Sequence, residues 1–451
     1  MASRKRRNKS RYGGGVVIAI AALLCTAACV MAVYMYMKTT PGTGQSDEAA
    51  GKAATGKASD GEDTDSGMNS SENKTTDEST ATTDESTATT DEVTEAPDPE
   101  VILEEKLTDM VDAMSLEEKT GQMFFVRGDP GYDQAIFDTY HPGGILLFGS
   151  DVEDKTYTEV QDYIGNFQQM SSVPLFIGID EEGGTVSRVS HNPNLVDTPF
   201  QSPRQLYAEG GMDAVIEDSH RKSALLLDLG INVNLAPVVD YSVDSWDFMY
   251  DRAFGDNIDE TCDFAGRIVS AMKDDGMGSV LKHFPGYGSN GDTHTNMITD
   301  DRDYNTFVSQ DFLPFEAGIE AGAECVLVCH NIVTCMDADW PASLSERVHR
   351  ELRDTLGFDG VIITDDLAMD GVTDFCGADT AAVQAIKAGN DMMIVSDFYT
   401  QYDAVIQAVK DGTISEDRLD ESVVRILRWK YDLGVIHIPS VSYTHLRAHE
   451  T

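Results

Sequence analysis

Eight short apolar runs recur between positions 121 and 397, and their regular return constrains the fold more than any other feature of the chain. They read GQMFFVR (121–127), GGILLFG (143–149), PLFIGID (174–180), INVNLAPVVD (231–240), GSVLKHF (278–284), ECVLVCH (324–330), GVIITDD (360–366) and DMMIVSD (391–397). The apolar residues are continuous, the pattern of a strand covered on both faces; a sheet with one wet face would alternate. Amphipathic helical stretches fill most of the gaps, among them YTEVQDYIGNFQQM, ETCDFAGRIVSAMKDDG and DTAAVQAIKAG. Strands alternating with helices predict a parallel sheet. Eight such units in about 300 residues predict an α/β fold of the closed (β/α)8, TIM-barrel type rather than an open sheet.

The polar residues are not scattered. Asp180, Asp240, Lys282 with His283, His330, Asp365 and Asp397 all stand at the C-terminal ends of these runs. In a (β/α)8 barrel those ends ring the face that carries active sites. One polar strand end means little, because every strand has to stop. Six ending in Asp, His or Lys point to a site.

The rest of the chain divides by composition. Residues 1–15 hold a basic cluster and read as a cytoplasmic tail. Residues 16–37 are apolar and uncharged. At about 1.5 Å per residue, a helix of that length spans the hydrocarbon core of a bilayer. Positive charge before it predicts a single-pass transmembrane helix with everything after Lys38 outside the cell. A cleaved signal sequence is the alternative, and a lipid-modified Cys29 a weaker one. Residues 38–98 are acidic and rich in Ser, Thr, Gly and Ala, with TTDESTA twice in tandem. Such a segment buries too little apolar area to offset its chain entropy, so it reads as a disordered linker or stalk. Residues 99–437 are globular in texture and form the expected catalytic domain. Residues 438–451 do not continue that character and read as an artefactual, non-native tail.

The formal net charge is -45, most of it after residue 98. A surface that acidic repels phosphate backbones, so no nucleic-acid partner is expected. The chain has 7 cysteines, an odd number, and its globular part is large enough to need no disulfide. Cys325, Cys329 and His330 look like metal ligands at first glance, but ECVLVCH reads as a buried strand. No metal and no organic cofactor is expected.

Three segments bring a family into view: IGIDEEGGTVSRV (177–189), KHFPGYGSNGDTH (282–294) and GFDGVIITDDLAMD (357–370). DRAFG (251–255) and PASLS (341–345) fall at the expected places between them. Together they resemble glycoside hydrolase family 3, and within it the bacterial β-N-acetylglucosaminidases (β-N-acetylhexosaminidases) that act on peptidoglycan fragments. The resemblance covers about residues 100–437. It implies a retaining glycosidase that removes terminal β-linked N-acetylglucosamine. Retention needs a nucleophile under the anomeric carbon and an acid over the leaving oxygen. Asp365, the Asp directly after Thr in the family's motif, aligns with the nucleophile; its neighbour Asp366 is the rival. The Asp-x-His pair of this branch matches Asp292-Thr293-His294, with His294 as acid/base and Asp292 orienting it. An imidazole suits proton transfer near neutrality, and three glycines (Gly286, Gly288, Gly291) suit a loop that closes over substrate. The resemblance further implies that Asp180, Arg188, Arg252, Lys282 and His283 hold sugar hydroxyls, although each also fits a structural ion pair. Asp240 and His330 are expected behind them. Two departures stand out: Tyr287 replaces a histidine usual in KHFPGHG, with a shorter loop after it, and Thr185 replaces a common arginine.

Other activities remain in play at this point. A β-glucosidase or β-xylosidase of the same family typically takes its acid from a second domain, for which no room is expected before the tail at 438–451. A phosphorylase using the same dyad is a further alternative. A catalytically inactive glycan-binding surface protein would suit the stalk equally well, but has no need of both Asp365 and His294.

Overall fold

The computed structural model describes residues 98–292 and 297–439. It is an α/β structure of parallel strands and intervening helices. The strands are β1 (Phe124–Arg127), β2 (Gly144–Leu147), β3 (Phe176–Ile179), β4 (Val233–Asn234), β5 (Gly278–Ser279), β6 (Leu281–Phe284), β7 (Thr299–Asp300), β8 (Cys325–Val328), β9 (Ile332–Val333), β10 (Val361–Thr364) and β11 (Met393–Val395). All eight apolar runs contribute strands. The first run begins one element early, because Gly121 and Gln122 end the helix Leu116–Gln122.

Hydrogen bonding distributes these strands differently from eight continuous staves. A six-stranded parallel sheet runs β11-β1-β2-β3-β4-β5, a three-stranded one β10-β8-β6. The run 278–284 is cut at Val280: β5 pairs with β4, while β6 pairs with β8 through an irregular register. The run 231–240 yields only the two residues of β4, since Pro237 has no N–H to give a ladder. Isolated parallel bridges nevertheless link the two sheets at both edges, Val238 with Lys282 and Ile363 with Met392. Val239 N donates to Lys282 O at 2.9 Å on one side, and Asp391 N to Ile362 O at 2.8 Å on the other. The pair β7–β9, which the sequence patterns do not announce, ties the stretch after β6 to the stretch after β8.

The helices form where capping and periodicity agree. Tyr157–Met170 starts at Thr156, whose hydroxyl and the Glu159 carboxylate satisfy each other's backbone N–H. Ile258–Asp274 starts at Asn257 and turns its apolar face inward through Phe264, Ile268 and Met272. Glu416–Asp432 closes the fold, burying Val423, Ile426, Leu427 and Trp429. Strand side chains are covered on both faces: Phe124, Phe125, Phe176, Ile177, Val326 and Ile362 are all fully buried. Cys325 and Cys329 are buried free thiols within this packing.

Among the described residues, no helix is long and apolar enough to cross a membrane. The expected anchor at 16–37, its basic tail, the linker up to residue 97 and the tail from residue 440 lie outside the described residues.

Candidate active site

A cavity of about 520 Å³ opens at the C-terminal ends of the strands. Asp180, Arg188, Arg252, Lys282, His283, Asp292 and Asp365 all line it. Seven of the eight expected site residues are thus gathered there. The eighth, His294, lies outside the described residues. Asp240 and His330 sit behind the wall, almost wholly buried. Asp397 does not join them; it is an exposed residue preceding the helix Phe398–Lys410.

Asp180 follows β3 directly. Its Oδ1 lies 2.6 Å from Lys282 Nζ, which also reaches Glu182 Oε1 at 2.7 Å. Glu182 in turn receives two hydrogen bonds from Arg252, Nε at 2.9 Å and Nη2 at 2.8 Å. Arg252 Nη2 stands 3.2 Å from His283 Nε2, and His283 Nδ1 stands 2.7 Å from Asp240 Oδ2. The donors are therefore fixed by a continuous polar chain from Asp180 to Asp240. Burial alone would raise the Glu182 carboxyl, but the Lys282 ammonium and Arg252 guanidinium outweigh it and hold the group well below the usual carboxylate range. Burial likewise works against the Lys282 charge, and Asp180 and Glu182 reverse it, so Lys282 stays cationic. A preorganised cation beside a half-buried carboxylate suits the paired donors and acceptors of a sugar diol.

Glu182 is the residue that strand-end reasoning passes over, because it falls two positions into the following turn. The available signal was DEEGG itself. Gly183 has φ 98°, and a Cβ there would come within 2.2 Å of Gln201 O, so only glycine fits the turn that tucks Glu182 under the cavity. Glu181 is also buried, its carboxylate accepting from the backbone N–H groups of Arg188 and Val189 at 2.7 Å each. That clasp sets the loop on which Arg188 reaches the cavity.

Asp365 follows β10 and is half-buried; its N donates to Val328 O at 3.1 Å. Asp366, the rival, is occupied with the turn: its Oδ1 accepts from Ala368 N at 2.9 Å and Ser396 N at 3.1 Å, and Ser396 Oγ donates to Oδ2. His330 braces the same corner, Nδ1 2.7 Å from Ser343 Oγ and Nε2 3.1 Å from Asp366 O. The loop after β6 carries Asp292. Its base is held by Arg302, which pairs with Asp300 and Asp311 and donates to Gly286 O at 3.0 Å. Tyr287, where the family usually has histidine, is buried with its ring edge-on to His283. Among the described residues, no three His, Cys, Asp or Glu side chains are grouped to hold a metal ion.

A parallel α/β fold whose strand ends gather carboxylates and fixed cations around an open cavity has the make-up of a glycosidase. The family model described as the glycosyl hydrolase family 3 N terminal domain matches residues 115–429. The chain belongs to glycosyl hydrolase family 3. It is 30% identical over 333 residues to the beta-hexosaminidase LpqI of Mycobacterium tuberculosis, across 70% of this chain and 83% of that protein. A beta-hexosaminidase of Hydrogenovibrio crunogenus is 31% identical over 282 residues, 61% of this chain and 78% of its own. Among solved structures, a family 3 β-N-acetylglucosaminidase from Paenibacillus sp. str. FPU-7 matches with a TM-score of 0.68 at 31% identity, over 74% of this chain and 65% of that one. The structure of M. tuberculosis LpqI matches with a TM-score of 0.66 at 29% identity, over 72% of this chain and 96% of that one.

Proposed function

We propose that this glycoside hydrolase removes terminal, non-reducing β-linked N-acetylglucosamine from glycans, peptidoglycan fragments foremost, with retention of configuration. The observation that carries the reading is the convergence of Asp365, Asp292 and the Asp180–Lys282 pair on one cavity in a chain whose relatives are named β-hexosaminidases. Asp365 is the nucleophile: it attacks the anomeric carbon, the leaving oxygen takes a proton, and a glycosyl ester forms. The engagement of Asp366 with the 366–368 turn and Ser396 supports assigning attack to Asp365 rather than to its neighbour. His294 donates that proton and then deprotonates the water that releases the sugar, with Asp292 holding the imidazole in orientation. Asp180, Lys282, His283, Arg252 and Arg188 hold the sugar in the −1 position.

The eight principal strand segments form one (β/α)8 ring in this reading, supported by the two bridges that link the sheets. Residues 16–37 anchor the chain in the membrane, with 38–98 as a stalk that carries the domain outside the cell. The test is release of the chromophore from an aryl β-N-acetylglucosaminide compared with the aryl β-glucoside. Preference for the amino sugar is expected; cleavage of neither sinks the reading, and formation of a sugar 1-phosphate with phosphate present sinks the hydrolytic part.

A further inference from the structure

Among the described residues, Trp246 is the most exposed large apolar side chain, at 92%. An indole is amphipathic and gains by laying its apolar faces against a partner, and this one stands in water two residues before Phe248, which lines the cavity. Its loop is well held. Met249, three residues on, is fully buried. Trp246 N donates to Asp244 Oδ1 at 3.0 Å, Asp247 N to Asp244 O at 2.9 Å, and Ser242 Oγ to Asp247 Oδ2 at 2.9 Å. The Arg204 guanidinium donates to Ser242 O at 3.0 Å and lies 4.0 Å over the Tyr250 ring. The turn is therefore braced at its centre and at both shoulders, and the indole is displayed from a fixed base.

The same loop also builds the cavity. Phe248, two residues past Trp246, lines it, with its ring 5.8 Å from Tyr287 and 6.0 Å from the Arg252 guanidinium. One short segment thus gives a ring to the cavity wall and, two residues earlier, exposes a second ring to water. The direction is set by the site: Asp180, Lys282 and Asp365 occupy the interior, so the part of a substrate that projects from the mouth is the part beyond the bond being broken.

We propose that Trp246 is the platform for a second pyranose, the sugar on the leaving-group side of the scissile bond. A β-linked pyranose with equatorial substituents has a face of axial C–H groups, which an aromatic face can cover while the hydroxyls around its edge stay hydrated. Phe248 would then border the join between the two sugars. The inference deepens the functional reading above and rests on it.

The experiment compares a one-ring and a two-ring substrate: methyl β-N-acetylglucosaminide, which offers nothing to stack, and the β-1,4-linked disaccharide of N-acetylglucosamine. Released N-acetylglucosamine is measured for the unaltered enzyme, Trp246→Ala and Trp246→Phe. Trp246→Ala lowers kcat/KM on the disaccharide about tenfold through KM, the factor one aromatic contact commands, leaves the methyl glycoside within about twofold, and Trp246→Phe recovers most of the loss. Equal losses on both substrates, or no loss on either, overturn the platform. Failure of the functional reading looks different: the unaltered enzyme then releases the sugar from neither substrate. A second measurement reads binding alone. In Asp365→Asn, titration with the disaccharide shifts tryptophan emission to the blue, and that shift is absent when Trp246→Phe is added; a shift that persists also overturns the proposal.

Discussion

A carboxylate without water has to be answered by charge, and Glu182 is answered twice, by Lys282 at 2.7 Å and by the paired bonds from Arg252. Neither cation has a second buried carboxylate of that kind to fall back on; Lys282 keeps Asp180, and Arg252 keeps uncharged neighbours such as Met249 and its contact with His283. Removing one partner of a buried ion pair leaves the others uncompensated and typically costs about 3–5 kcal/mol. Glu182→Gln should therefore lower the midpoint of chemical unfolding and raise KM for an aryl N-acetylglucosaminide, while Glu182→Asp recovers part of both. A variant with unchanged stability and KM would show that the chain of ion pairs does not position the sugar-binding donors. Asp366 makes a second, contrasting case. Its carboxylate caps a turn, so Asp366→Asn should cost about 1 kcal/mol of stability, the scale of lost turn bonds, and retain most of kcat. Asp365→Asn should do the reverse, with normal unfolding and a kcat lower by about a thousandfold or more. Strand-end reasoning found Asp365, which follows its strand directly, and Lys282, which lies within the last four residues of its run, inside the strand Leu281–Phe284. It missed Glu182, whose partners are 70 and 100 residues away along the chain and appear only once the loop has folded under the cavity.

The closing helix Glu416–Asp432 carries an unusual burden in Lys430, which is fully buried, donates to Gln122 Oε1 at 2.8 Å and lies 5.2 Å from the centre of the Phe176 ring. Burial lowers its pKa from 10.5 to about 7. The unfolded chain then holds a proton that the folded one gives up across that window, so stability should rise as pH climbs from about 7 to about 10.5 and be flat below it. Lys430→Met should abolish that slope and stabilise the protein at neutral pH by about 1–3 kcal/mol. Denaturant titrations at pH 7 and pH 10 check both statements; an unchanged slope in the variant would assign the pH dependence to another group. At the level of strands, continuous apolar runs were legible because a covered strand needs them. The break at Val280 and the shortness of β4 were not, since pairing depends on which neighbour reaches each residue. Pro237 alone carried a readable hint.

Taken whole, the chain joins a catalytic domain to an apolar stretch at 16–37 that composition marks as a membrane anchor. If that expectation holds, activity from cells making the full chain sediments with membranes at the full-length mass, and a chain starting at residue 99 is soluble with the same kcat/KM. Full-length protein in the soluble fraction contradicts the anchor, and a shorter soluble product indicates signal cleavage instead. The α/β class was legible from the alternating apolar runs and helical stretches, the strand-end site from the polar residues at their ends, and the family from five motifs in order. The acid/base role of His294 was legible only through resemblance, and His294 lies outside the described residues. Covalent attack by Asp365 is the central step of the proposed reaction. The direct measurement is peptide mapping by mass spectrometry after incubation with an activated fluorinated N-acetylglucosamine, which forms the glycosyl ester but hydrolyses slowly. One sugar is expected on the peptide containing Asp365, located on that residue by fragmentation and lost in Asp365→Asn. A label on Asp366 or Asp292, or turnover of the chromogenic substrate undiminished in Asp365→Asn, contradicts it.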